Sequence, residues 1–178
     1  METYVIHTTK KCNLACLYCY EQDKTSSYTV DEVISYIDDI FKDIKDNIVH
    51  IEFLGGEPLL EFKILEEVFY YMEKNYKKNI DSYIITSNGT IINDDILDFL
   101  DKNRDRISIA ISMDGTVYSN QLRYFKSDWK NSYFVVKKNI EKIHERKLDV
   151  GIHMVTHPFN VAFMFESIKH IYETLGVN

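Results

Sequence analysis

The run Lys11-Cys12-Asn13-Leu14-Ala15-Cys16-Leu17-Tyr18-Cys19-Tyr20 holds every cysteine of the chain, in the spacing C-x3-C-x2-C. Three thiolates this close in sequence can converge on one soft metal centre if the backbone between them curls into a loop. Three ligands leave one position of a tetrahedral site open. The same residues could instead form a structural zinc site completed by a histidine such as His7, a disulfide with one thiol left over, or a set of small buried apolar side chains. An odd count with all thiols in one stretch is not a disulfide framework.

These cysteines need a scaffold, and the rest of the chain supplies one in regular units. Tyr4-Val5-Ile6 reads as a short strand directly before the cysteines. Thr29-Val30-Asp31-Glu32 has the form of a capping box, after which Val33, Ile34, Ile37, Ile40, Phe41 and Ile44 recur at helical steps. Asp38, Asp39, Lys42, Asp43 and Lys45 fill the other face of that helix. Val49-His50-Ile51-Glu52-Phe53-Leu54 is a second strand that runs into Gly55-Gly56-Glu57-Pro58, and Leu65, Val68, Phe69 and Met72 mark a second helix.

Tyr83-Ile84-Ile85-Thr86 predicts a third strand closed by the turn Ser87-Asn88-Gly89. Ile96, Leu97 and Leu100 place a short third helix, and Ile107 to Ser112 alternates as a fourth strand before Met113-Asp114-Gly115. Thr116 to Lys130 is a long polar loop of the kind that often binds or covers a ligand. Val135, Val136, Ile140 and Ile143 predict a fourth helix, Val150 to Val155 a fifth strand, and Val161 to Leu175 a fifth helix stopped at Gly176.

Strict strand-helix alternation predicts an α/β fold with a parallel sheet and helices on one side. A closed eight-stranded barrel needs about 250 residues, so 178 residues fit a partial, open TIM-like barrel of about five βα units, in one domain spanning 1–178. In such folds functional groups collect at the carboxyl ends of the strands. The cysteine stretch, GGEP, Ser-Asn-Gly, the Ser112-Met113-Asp114-Gly115 stretch and the residues after Val155 all fall there. A net charge of −7 argues against nucleic acid or an anionic membrane as partner. No apolar run approaches the roughly twenty residues of a membrane span, and the free thiols predict a reducing, cytoplasmic setting.

Cys12 to Tyr20, followed one strand and helix later by Gly55-Gly56-Glu57-Pro58, resembles the radical S-adenosylmethionine (SAM) superfamily. Within it, the chain is similar to the peptide- and protein-modifying branch, which is anaerobic sulfatase maturase-like and SPASM-type. The resemblance implies that Cys12, Cys16 and Cys19 bind three irons of a [4Fe-4S] cluster, and that SAM chelates the fourth. It implies reductive cleavage of SAM to a 5′-deoxyadenosyl radical, hydrogen abstraction from a peptide or protein substrate, and an external flavodoxin- or ferredoxin-like electron donor.

Tyr18 resembles the aromatic position that packs on adenine, and its other reading is a loop anchor. Gly55 and Gly56 would let backbone approach the ligand, and Glu57 would accept from the SAM ammonium; alternatively the motif is a tight turn with an acidic residue at a helix start. Ser112 and Asp114 resemble a S-x-D-G pattern that contacts SAM, Arg123 resembles an arginine that pairs with the SAM carboxylate, and Ser87 and Asn88 are placed on the pocket wall. Leu54 departs from the polar residue many relatives carry there. The family core has six strand-helix units, so the expectation is a core without the sixth unit and without C-terminal auxiliary-cluster cysteines. Two alternatives stay open: a glycyl-radical-enzyme activase, and a truncated, non-catalytic iron-sulfur or metal-binding domain. The six histidines have no ligand spacing, although His153 points to one face of the fifth strand and approaches the pocket.

Overall fold

The computed structural model describes residues 2–44 and 47–177. Lys45, expected on the polar face of the first helix, lies outside them. Five strands, β1 (Glu2–His7), β2 (Val49–Leu54), β3 (Ile80–Ser87), β4 (Ile107–Ser112) and β5 (Val150–His153), form one sheet in the order β1-β2-β3-β4-β5. Every neighbouring pair is parallel. The helices are α1 (Val30–Ile44), α2 (Phe62–Asn75), α3 (Asp94–Lys102), α4 (Tyr133–Glu145) and α5 (Met164–Glu173), with 3-10 turns at Pro58–Glu61, Lys77–Asn79 and Val161–Phe163. Sequential parallel strands with a helix between each pair are the open, partial barrel expected from the alternation. No helix is long and apolar enough to cross a membrane among the described residues.

The helices cover one face of the sheet. Along β2, Val49, Ile51 and Phe53 are buried while His50, Glu52 and Leu54 are half-buried on the opposite face. The buried face meets Val33, Ile37 and Phe41 of α1, Leu65, Val68, Phe69 and Met72 of α2, and Ile96, Leu97 and Leu100 of α3. Tyr83 of β3 stacks on Phe53 and meets Phe69 edge-on, tying β2, β3 and α2 together.

Start signals worked as read. Glu32 accepts from the Thr29 N–H at 2.8 Å and its own N–H reaches the Thr29 hydroxyl at 3.3 Å, the reciprocal pair of a capping box. The cap of α3, which was not read from the sequence, is Asn93, whose Oδ1 accepts from Ile96 N–H. α4 forms where Val135, Val136, Ile140 and Ile143 place it; Val135 is exposed, and the helix buries Tyr133, Val136, Asn139, Ile140 and Ile143. β5 ends at His153 rather than Val155 because the Val155 N–H is taken by the Asp114 carboxylate.

Candidate cluster and cofactor site

The cysteine loop leaves β1 and is held by two neighbours. Behind it lies the Gly55-Gly56 turn, where Gly56 N–H donates to Thr9 O at 2.9 Å and Glu57 N–H to Lys11 O at 2.7 Å. A Cβ on Gly56 would sit 2.2 Å from Lys10 O, and one on Gly55 would sit 2.2 Å from Thr9 O. The absent side chains therefore admit the chain's own backbone at the root of the cysteine loop, a nearer cause than the ligand approach expected from sequence.

The other neighbour is the segment 122–126. Ala15 N–H donates to Tyr124 O at 2.9 Å, Leu17 N–H to Leu122 O at 3.1 Å, and Lys126 N–H to Asn13 O at 3.0 Å. Leu14, 0% exposed, is the anchor of this antiparallel contact, opposite Phe125. The long polar loop is thus a strap bonded along the cysteine loop, and no periodicity in its sequence signals that pairing.

Cys12, Cys16 and Cys19 are free, partly buried thiols on the wall of one cavity of about 300 Å³ at the carboxyl ends of the strands. Leu14 N–H points at Cys12 Sγ at 3.4 Å and Asn88 Nδ2 at 3.7 Å. Burial pushes the Cys12 and Cys16 thiols above their ordinary range, while Arg123 and Lys24 pull Cys16 back and the neighbouring cysteines push it up. Among the described residues no three His, Cys, Asp or Glu side chains are grouped closely enough to hold a single metal ion. His7 lines a different pocket from the one the three cysteines share. A three-thiolate set spread over three irons of one cluster has no need of so tight a grouping, and soft donors with N–H groups aimed at sulfur suit it.

Of the other expected residues, Tyr18, Gly55, Gly56, Asn88, Ser112 and Arg123 line the same cavity. Glu57, Ser87 and Asp114 do not, and their side chains have internal work instead. Glu57 is 0% exposed. It accepts from Leu59 N–H at 3.0 Å, Ser87 Oγ at 2.8 Å and Asn88 N–H at 2.6 Å. It bolts the turn after β2 to the turn after β3, with two donors on Oε1 and one on Oε2. Ser87 is fully buried between Glu57 and Gly89 N–H.

Asp114, also 0% exposed, is the hub of the other wall. Its carboxylate receives Arg123 Nε at 3.0 Å, Arg123 Nη2 at 3.2 Å, Tyr18 Oη at 2.5 Å and Val155 N–H at 3.0 Å. Tyr18 is therefore a loop anchor through its hydroxyl, with the Arg123 guanidinium 5.2 Å over its ring. Burial, and then the Asp114 charge, push its phenol up, so it remains a donor. Arg123 keeps Nη1 without a protein partner among the described residues. His153 does line the cavity, with Thr86 and Val155, which sequence reasoning did not assign. His157 packs its ring 5.3 Å from Tyr18, and its Nε2 is buried without a partner.

Burial pushes the Glu57 carboxyl up to about 7, although its three donors pull the other way. Between pH 4.5 and about 7 the folded chain then keeps a proton that unfolded glutamate has released. Stability of the metal-free, reduced protein should accordingly fall as pH rises through that window, by up to ~3 kcal/mol, and level off above it. Urea melts at pH 5, 6, 7 and 8 check this. Glu57→Gln should flatten the slope, and an unchanged slope would remove Glu57 as its source.

A model of the radical SAM superfamily matches residues 6–171. An uncharacterized protein of Methanocaldococcus jannaschii is 31% identical over 175 residues, 96% of this chain and 58% of its own length. A cysteine-type anaerobic sulfatase-maturating enzyme of Clostridium novyi is 27% identical over 79% of this chain and 40% of its own. A GTP 3′,8-cyclase of Clostridium perfringens is 29% identical over 60% of this chain and 33% of its own. Among solved structures, native anSMEcpe with bound AdoMet and Cp18Cys peptide superimposes with a TM-score of 0.81 at 24% identity, over 96% of this chain and 47% of that one, a likeness of fold. The chain thus spans little more than half the length of these relatives, or less.

Proposed function

This chain belongs to the radical SAM superfamily, and we propose that residues 1–178 act as one core that cleaves SAM reductively to modify a peptide or protein side chain. Superfamily members use a [4Fe-4S] cluster and SAM. The observation that carries the reading is the convergence of Cys12, Cys16 and Cys19 with Asn88, Ser112 and Arg123 on a single cavity. A bound cluster and SAM would supply one-electron scission of a carbon–sulfur bond, with the electron taken from an external donor, and through it hydrogen-atom abstraction from substrate.

In this reading the three thiols hold three irons as thiolates, releasing their protons on binding, with Lys24 and Arg123 favouring the anionic form of Cys16. Arg123, oriented by two bonds to Asp114, offers Nη1 to the SAM carboxylate. Asn88 and Ser112, with backbone at Gly55, Gly56 and Tyr18, line the remainder of the SAM subsite. Glu57 and Ser87 position this wall without touching ligand. Electrons come from an external flavodoxin- or ferredoxin-like donor in a reducing cytoplasm. A peptide substrate is favoured by the sulfatase-maturating relative and by the peptide-bound anSMEcpe fold. The cyclase relative favours a second reading, a nucleotide substrate.

Anaerobic reconstitution with iron and sulfide, followed by dithionite, SAM and chromatography for 5′-deoxyadenosine, tests the core claim. Cleavage is expected in the parent protein and should fall at least a hundredfold in Cys16→Ala. A bound cluster without cleavage would make this a binding-only domain, and zinc in place of iron would end the enzymatic reading.

A further inference from the structure

Glu52 stands mid-strand in β2 on the face that no helix covers, registered between Val5 of β1 and Ile84 of β3. Strand periodicity puts it there: Val49, Ile51 and Phe53 go to the core, so Glu52 faces the other way with His50 and Leu54. Thr86 Oγ1 donates to Glu52 Oε1 at 2.6 Å, which fixes the carboxylate. Among the described residues thirteen ion pairs form, and none of them includes Glu52.

Glu52 lines a trough of about 550 Å³ along the helix-free face, together with His50, Ser82, Ser108, Gly151 and His153. Among the described residues its walls hold no lysine or arginine, only the histidines His50 and His153. Thr86 and His153 line both this trough and the cysteine cavity, so the two spaces meet. A half-buried carboxylate with no countercharge, in a cleft that opens on the reactive site, focuses negative potential where a substrate would lie.

We propose that this trough seats the reacting segment of the substrate, and that Glu52 selects a segment carrying a cationic side chain, an ammonium or guanidinium. The inference rests on the reading of the cysteine cavity as the SAM site. It disfavours a nucleoside triphosphate, whose phosphates would face the carboxylate with no lysine or arginine in the trough to offset them.

The probes are a capped pentapeptide with lysine among glycines, its norleucine and glutamate counterparts, and GTP. Each is titrated calorimetrically into the reconstituted protein with SAM, and 5′-deoxyadenosine is assayed in the same samples. The lysine peptide should bind about tenfold more tightly than the norleucine peptide and more tightly still than the glutamate peptide. Glu52→Gln should erase the preference, and Glu52→Lys should reverse it toward glutamate, a gain that a misfolded variant could not produce. Equal binding of the three peptides, or tighter binding of glutamate peptide or GTP by the parent protein, overturns the inference. A lysine preference without SAM cleavage would leave the Glu52 selectivity standing and defeat the functional reading instead.

Discussion

Asp114→Ala is expected to destabilise the apo-protein by about 3–5 kcal/mol, the scale of stripping one partner from a buried ion pair. Asp114 is fully buried and Arg123 nearly so, with side-chain exposures of 0% and 7%. Removing the carboxylate leaves the buried guanidinium without its counter-ion, and also orphans the Tyr18 hydroxyl and the Val155 N–H. The damage should be larger than that of Arg123→Met, because Asp114 would keep two of its donors in the latter. The double variant Asp114→Ala/Arg123→Met should recover part of the loss, since no charge is then left unpaired. Urea denaturation of the four proteins gives the coupling directly. Iron retention after desalting should fall with Asp114→Ala as well, because Tyr18 lies between Cys16 and Cys19 and loses its tether. A cost under 1 kcal/mol for Asp114→Ala would show that the hub is not a fastening point.

Gly56→Ala is expected to cost about 3 kcal/mol or more and to abolish stable iron binding. The added methyl would lie 2.2 Å from Lys10 O and 2.3 Å from Lys11 O, both backbone atoms directly before Cys12. Backbone cannot swing aside as the end of a long side chain can, so either the turn after β2 or the root of the cysteine loop must shift. Lys11 O is also the acceptor for Glu57 N–H, which sets the displacement against that bond. Gly151→Ala is the control: its Cβ would meet nothing nearer than 3.8 Å, so its stability should change by less than ~1 kcal/mol. Thermal melts, with iron content per chain, separate the two sites. Similar behaviour of the two variants would remove the steric account.

The scaffold was legible because its signals are periodic or local. β2 and β4 come out at the bounds their alternation predicts, and the capping box of α1 is visible as Thr29 and Glu32. The cysteine motif was legible because its residue type and spacing have few other uses. What did not show was how distant loops engage. Nothing in Thr116–Lys130 announces that Leu122, Tyr124 and Phe125 align with the cysteine loop, since loop-to-loop pairing has no repeat. Glu57 and Asp114 were read as ligand contacts from the resemblance of GGEP and S-x-D-G, and their burial in internal bonds did not show in those motifs. Their flanks carried the contrary signal: buried Pro58 and Leu59 follow one, and Met113, 0% exposed, precedes the other. Glu52 was not singled out, because an acid alternating with core residues in a strand ordinarily marks the solvent face.

The bond from Tyr18 to Asp114 spans 96 positions of chain, and the strap lies farther along still. Most of the scaffold is built from neighbours in sequence, with each strand laid beside the one before it. Each parallel pairing closes a shorter span of chain than the Tyr18–Asp114 bond does, and shorter closures cost less entropy. In synthesis the three thiols precede the segment that clasps them, which follows the fourth strand. The cysteine loop is therefore fastened only once contacts far apart in the chain have formed, and loading of the site waits on that fastening.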